Sequence, residues 1–300
     1  MPRLSEQELA HRRTGRGSTC IVEANGLAPW AGAGPMRLYC EKLGIAPPDD
    51  AAADDTRQDD REAWLEWGHV MEPVIAGWYE LNTRGRSGAL QLGGPVHSTD
   101  HPHLWATLDR TVIGANRLVE IKNVGSPQLY RHWDVTSPDG IPPYVRAQVT
   151  VAMAFHGARE TDVVASIGGR PPHVWTVFQD DELAALLIDG ALRFWQLVTT
   201  RTPPPIDATP ATRAYLLDRY PANRERTMVT ATLEAETLAT ERIEAARLGA
   251  ESDARKRRLD AQLMALVGDA DGLSGAGWAY TWKLDKNGAR RGRFTGKGEE

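Results

Sequence analysis

Apolar residues between positions 62 and 81 recur at intervals of three and four: Trp64, Trp67, Met71, Ile75, Trp78 and Tyr79. This is the helical period, and it predicts one helix with an apolar stripe. Upstream, residues 19–44 read as helical on either side of a break at Gly26-Leu27-Ala28-Pro29-Trp30. The aspartate-rich stretch 49–61 reads as a mobile acidic loop. Downstream, the pattern changes to short segments of strand character. Residues 89–97 are glycine-flanked, 104–113 lie between Pro102 and Gly114, and 117–124 follow a Gly-Ala-Asn turn. The last two are expected to pair as a hairpin. The helical period returns in 142–156, with Val145, Val149, Ala152 and Met153 on one face and proline in the first turn. Strands at 162–167 and 174–178 follow. A helix at 180–198 comes next, its acidic first turn suiting the helix dipole.

Helix, three strands, helix, two strands, helix is the order of an α/β fold, a mixed central sheet flanked by helices. The proline run 203–205 closes this core, so the expected domains are 1–207 and a C-terminal helical extension, 208–300. Within the extension, Leu238, Ala245, Ser252, Leu259 and Leu266 fall seven apart, but the partner column holds Glu241, Arg255 and Gln262. A polar partner column does not support a long coiled coil, so one or two amphipathic helices packed on the core are expected. Asn287-Gly288, set between 278–283 and a basic segment, predicts a closing β-hairpin.

Composition adds limits. With 41% hydrophobic and 25% charged residues in 300, the chain fits an ordinary soluble protein. No apolar run approaches the roughly 18 residues that would span a membrane. Residues 1–16 are polar and basic, unlike a secretory signal, so a cytoplasmic location is expected. Two cysteines, Cys20 and Cys40, form no zinc or iron–sulfur pattern and are expected to be reduced and structural. His97, His101 and His103 lack the spacing of a zinc site and read as a polar loop. The net charge of -5 does not advertise nucleic-acid binding. Basic clusters at 11–16, 255–258 and 283–297 nonetheless permit a locally positive groove.

The chemistry concentrates in Asp109, Glu120 and Lys122. Residues two apart on a strand share a face, so Glu120 and Lys122 point one way and Ile121 the other, towards the core. A hairpin brings Asp109 within reach of Glu120. Two adjacent carboxylates repel unless a cation lies between them, and oxygen ligands suit Mg²⁺ or Mn²⁺. Lys122 can orient and help deprotonate an attacking water, or stabilise charge developing on a phosphoryl group. With 40 acidic residues and six lysines, an acidic-x-Lys match arises ~0.8 times by chance, so the motif alone is weak. Its place in a central strand strengthens it, because a buried charged pair is costly there. Lys122 is also the only lysine between Lys42 and Lys256 in a chain that otherwise uses arginine, which does not readily give up a proton.

The string Asp-x(10)-Glu-x-Lys followed by a helix and two strands resembles the PD-(D/E)XK nucleases. Further blocks are similar to the lambda-exonuclease-like, or YqaJ, phage recombinases. They are Arg12-Arg13 to Thr19-Cys20, Gly26 to Trp30, Gly68-His69-Val70-Met71-Glu72-Pro73, and Tyr144-Val145-Arg146-Ala147-Gln148. The resemblance implies a restriction-endonuclease-like core over residues 8–200. It implies Asp109, Glu120, Ile121 and Glu72 as metal ligands, and Arg12, Thr19, Tyr144 and Gln148 as DNA-binding residues, with Arg12 on a terminal 5′-phosphate. It also implies a Mg²⁺-dependent exonuclease on double-stranded DNA with free ends, a trimeric ring, and a single-strand annealing protein as partner. An endonuclease or end-processing enzyme on the same fold, and a non-catalytic DNA-binding scaffold, are the alternatives. Cys20, Leu108 and Thr150 depart from the family pattern but remove none of Asp109, Glu120 and Lys122.

Overall fold

The computed structural model describes residues 17–30, 32–45, 55–83, 88–125, 127–220, 228–284 and 290–296. The break at Gly26 to Trp30 separates helices α1 (Ser18–Ala24) and α2 (Pro35–Leu43), the second starting on proline and ending where Gly44 turns left-handed. Helix α3 (Asp55–Asn82) begins seven residues earlier than the periodicity placed it. Residues 55–61 are therefore helical rather than part of an acidic loop, while 49–54 lie outside the described residues. Nothing in 55–62 breaks a helix, and acidic residues at its start suit the positive end of the dipole. Its stripe is buried at Ile75 and Tyr79, whereas Trp67 is exposed.

Both expected strands of the 89–113 region are broken in the middle. Strands β1 (Leu90–Leu92) and β4 (Arg110–Val112) join the main sheet, while β2 (Pro95–His97) and β3 (Trp105–Thr107) form a separate two-stranded ribbon. At the crossing, the Gly93 N–H donates to the Asp109 carbonyl at 3.0 Å and the Leu108 N–H to that of Gly94 at 3.0 Å. A Cβ on Gly93 would lie 2.1 Å from the Leu108 oxygen, so the backbones meet only because this residue is glycine.

With β5 (Arg117–Val124), β6 (Glu160–Ile167) and β7 (His173–Phe178), the main sheet runs β1-β4-β5-β6-β7, with β5 in the centre. Only β5 and β6 are parallel, so the sheet is mixed. Period-two alternation sorts its faces. Val119, Ile121 and Val164 pack on Ile75 and Tyr79 of α3. On the other face, Leu118, Val124, Val163 and Ala165 pack on Val145, Val149 and Met153 of α5 (Pro143–His156), which follows the short α4 (Pro127–Tyr130). Buried Asp162 is held by Arg117 Nη1 at 2.8 Å, Thr176 Oγ1 at 2.7 Å and Tyr79 Oη at 2.5 Å, so its charge is paired and hydrogen-bonded.

Helix α6 (Asp181–Thr200) starts on an Asp180 cap that accepts the Leu183 N–H at 2.9 Å. By length and composition it could cross a membrane, with a mean hydropathy of 1.2, which corrects the expectation that no segment approaches that limit. Its Leu187 and Ala191 pack against Ile21, Val22, Ala147 and Val151, and its outer face carries the Asp189–Arg193 ion pair. That division of faces is the pattern of a core helix.

The chain divides into two compact units, Met1–Ala222 and Asn223–Glu300. Helix α7 (Pro210–Arg219), beyond the proline run, belongs to the first because Tyr215 is buried against Tyr39 of α2. In the second unit, α8 (Leu233–Val267) is one uninterrupted helix passing through Gly249. Its buried residue is Val267, at the C-terminal end. Strands β8 (Gly272–Gly275), β9 (Trp278–Leu284) and β10 (Arg290–Gly296) form an antiparallel sheet. The expected β9–β10 hairpin is present and gains a third strand. Its Asn287-Gly288 turn lies outside the described residues.

Candidate active site

The β4–β5 register pairs Arg110 with Val119 and Thr111 with Leu118, so one step further brings Asp109 opposite Glu120. There β4 has ended in the crossing at Gly93, and Asp109 turns its carboxylate onto β5. Its Oδ2 accepts the Ile121 N–H at 2.7 Å. In a strand a residue's carbonyl shares the direction of its own N–H, so the Ile121 carbonyl faces the same space. Its side chain is buried on the α3 face.

Glu120 and Lys122 share the α5 face. Lys122 Nζ stands 2.6 Å from Glu120 Oε1 and donates to Gln148 Oε1 at 3.1 Å. Tyr144 lies one turn before Gln148, and its ring meets Trp30 edge-on at 6.3 Å. The helix period thus sets Tyr144 and Gln148 over the strand, and the Gly26 to Trp30 segment reaches the site through Trp30.

The electrostatics follow from burial. Asp109 is pushed up to about 7, first by burial and then by the Glu120 charge, while Lys122 and the Ile121 N–H pull the other way. Burial acts to lower the Lys122 pKa, but Glu120 and Asp109 outweigh it and hold the amine above its ordinary value. Lys122 is therefore a cation at neutral pH. Burial also pushes the Tyr144 phenol up, against the pull of Lys122.

Other expected residues stand elsewhere. Glu72 lies on α3, where its Oε1 holds Arg110 Nη1 at 2.5 Å, and the same nitrogen donates to the Asp109 carbonyl at 2.6 Å. Glu72 is near enough for its charge to raise the Asp109 pKa, but it is paired with Arg110. Among the described residues, no group of three His, Cys, Asp or Glu side chains could hold a metal as placed. Thr19 is exposed on α1, and Arg12 lies outside the described residues. Arg110 was missed in the sequence. Its only signal was its position directly after Asp109. His97 is tied to the Pro102 carbonyl at 2.8 Å, and His103 stacks on Trp195. Both cysteines are free, and Cys20 Sγ lies 3.7 Å from Lys42 Nζ.

The donor set fits a hard divalent cation. Two carboxylates stand close together, one raised by burial and by the other's charge, and an ammonium now supplies the countercharge.

The family model of the YqaJ-like viral recombinase domain matches residues 9–159, a stretch that contains every one of these residues. The chain belongs to this family. Among solved structures, the YqaJ-family chain is similar to an alkaline exonuclease (LHK-Exo) from Laribacter hongkongensis. Identity is 18%, over 66% of this chain and 94% of that one, with a TM-score of 0.48. The LHK-Exo complex with dAMP gives 18% identity, 65% and 94% coverage, and a TM-score of 0.47. SSO0001 gives 11% identity, 66% and 88% coverage, and a TM-score of 0.36. No curated protein matches the chain.

Proposed function

We propose that this chain is a metal-dependent DNA nuclease of the PD-(D/E)XK type, a 5′→3′ exonuclease on linear duplex that serves phage-type recombination. The observation that carries the reading is the convergence of Asp109, Glu120 and Lys122 at the end of β4, with Gln148 on the lysine. Family membership supports it.

Asp109, Glu120 and the Ile121 carbonyl would hold Mg²⁺, or Mn²⁺ in its place, and Glu72 would join if it released Arg110. The bound cation supplies Lewis-acid polarisation of the phosphoryl group. Lys122, held by Glu120 and Gln148, would orient the attacking water and help deprotonate it, or stabilise negative charge on the phosphoryl oxygens. Gln148 fixes the amine's position, and Tyr144 with Trp30 walls the site on the α5 side. Arg12 would take the terminal 5′-phosphate through its fork of donors. A trimeric ring in the cytoplasm and an annealing-protein partner complete the reading by family resemblance.

The test is cleavage of 5′-phosphorylated linear duplex against closed circular plasmid, with and without Mg²⁺. Linear DNA is expected to be degraded only with the metal, and Lys122→Ala to lose about 10²–10³-fold in rate. Equal rates for Lys122→Ala and the unaltered chain would sink the mechanism. Cutting of the circle would replace an exonuclease with an endonuclease. Binding without any cleavage would leave a DNA-binding scaffold.

A further inference from the structure

The C-terminal sheet has two unlike faces, and pairing register assigns each residue to one of them. Trp278, Tyr280 and Trp282 of β9 share a face with Phe294, Gly292 and Arg290 of β10 and with Leu273 of β8. This face is closed. Tyr280 is 1% exposed, Trp278 stacks on Phe294, and a Cβ on Gly292 would strike Tyr280 and Met264 of α8. Arg290 belongs to it, lying over the Trp282 ring and donating to the Gly268 and Ala270 carbonyls just past α8. Its charge serves the unit's own structure.

The opposite face carries Gly272 and Ser274 of β8, Ala279, Thr281 and Lys283 of β9, and Arg291, Arg293 and Thr295 of β10. Lys283 pairs directly with Arg291, and Arg293 stands two residues along on the same strand. All three cations are exposed, and these strands contain no acidic residue. The rest of the face is glycine, alanine and hydroxyls. It has no large apolar side chain to anchor a protein interface or enter a bilayer. Hydroxyl and guanidinium donors on a flat surface suit phosphate oxygens.

We infer that this face is a second DNA-binding surface, in which Lys283, Arg291 and Arg293 grip the phosphodiester backbone of duplex DNA without reading sequence. It lies outside the family match at 9–159. Residues 255–297 hold ten lysines and arginines against four acids, although the whole chain is net negative at -5. The choice of DNA over other polyanions rests on the nuclease reading. A second grip on one chain keeps the substrate near the first after each release.

The experiment uses the full chain in EDTA, where no cleavage occurs. Binding of a labelled 30-bp duplex is measured by anisotropy across a salt series. The Lys283→Ala/Arg291→Ala/Arg293→Ala variant is expected to flatten the slope of log K against log salt by about 2–3, and to weaken binding on the order of 10-fold or more near 0.1 M salt. The charge-conserving variant Lys283→Arg/Arg291→Lys/Arg293→Lys should keep the slope. An unchanged slope in the alanine variant overturns the proposal, as does the same loss in the charge-conserving variant, which would trace the effect to sheet packing. Loss of binding to phosphatidylserine vesicles with duplex binding intact would replace DNA with a lipid surface. Failure here leaves the Lys122 dependence of cleavage untouched. Cleavage by Lys122→Ala would remove the nuclease mechanism without altering the salt series.

Discussion

Replacing Asp109 by asparagine isolates the electrostatic cost of the site in the metal-free protein. The unfolded carboxyl titrates near 3.8, whereas in the fold it is pushed up to about 7 by burial and by Glu120. Between those values the folded chain holds a proton that the unfolded chain has lost, so stability falls as pH rises and levels off above 7. At ~1.36 kcal/mol per pH unit, the fall from pH 5.5 to 7 is about 2 kcal/mol, with no further loss to pH 8. The asparagine side chain keeps an acceptor for the Ile121 N–H but cannot ionise, so the variant loses this slope. Urea unfolding in EDTA at pH 5.5 and pH 8, followed by tryptophan fluorescence, should show the unaltered chain losing about 2 kcal/mol more than Asp109→Asn. Excess Mg²⁺ at pH 8 should then stabilise only the unaltered chain, by about 1.4 kcal/mol at tenfold its Kd. Equal pH dependence in both chains would refute the claim that the fold raises the Asp109 carboxyl by burying it beside Glu120.

Other outcomes follow from single contacts. Gly93→Ala, whose Cβ would meet the Leu108 carbonyl, should displace Asp109 and cut cleavage at least 10-fold. A native far-UV spectrum with full activity would contradict this. Arg110→Ala frees Glu72 and should tighten Mn²⁺ binding measured by calorimetry, whereas weaker binding would place Glu72 outside the metal site. Asp162→Ala removes the buried carboxylate that Arg117, Tyr79 and Thr176 share, leaving the half-buried Arg117 with Glu160, and should cost about 1–3 kcal/mol in urea unfolding. A loss under 1 kcal/mol would show that the network is not structural.

Periodicity in the sequence determined the order of elements, the central position of β5 and the placing of Glu120 and Lys122 on one face of it, opposite Ile121. These are local consequences of which side chains must leave water, and they need no knowledge of what packs against what. The same logic set Tyr144 and Gln148 on one face of α5, because residues four apart stand over one another on a helix. Two strands drawn as continuous proved broken, since Gly93 and Gly94 look like ordinary strand residues until the backbone crossing at Leu108 is seen. That crossing, not the hairpin alone, turns Asp109 onto Ile121. Glu72 carried the family's spacing, yet only the packing of α3 on the sheet showed it bound to Arg110. The raised Asp109 and charged Lys122 are likewise tertiary facts, because burial and the approach of Glu120 set them. The sequence by itself named the three residues of the candidate site. Only the tertiary structure decided their protonation, their partners and the unlike faces of the C-terminal sheet, because those depend on distances between segments that no local pattern encodes.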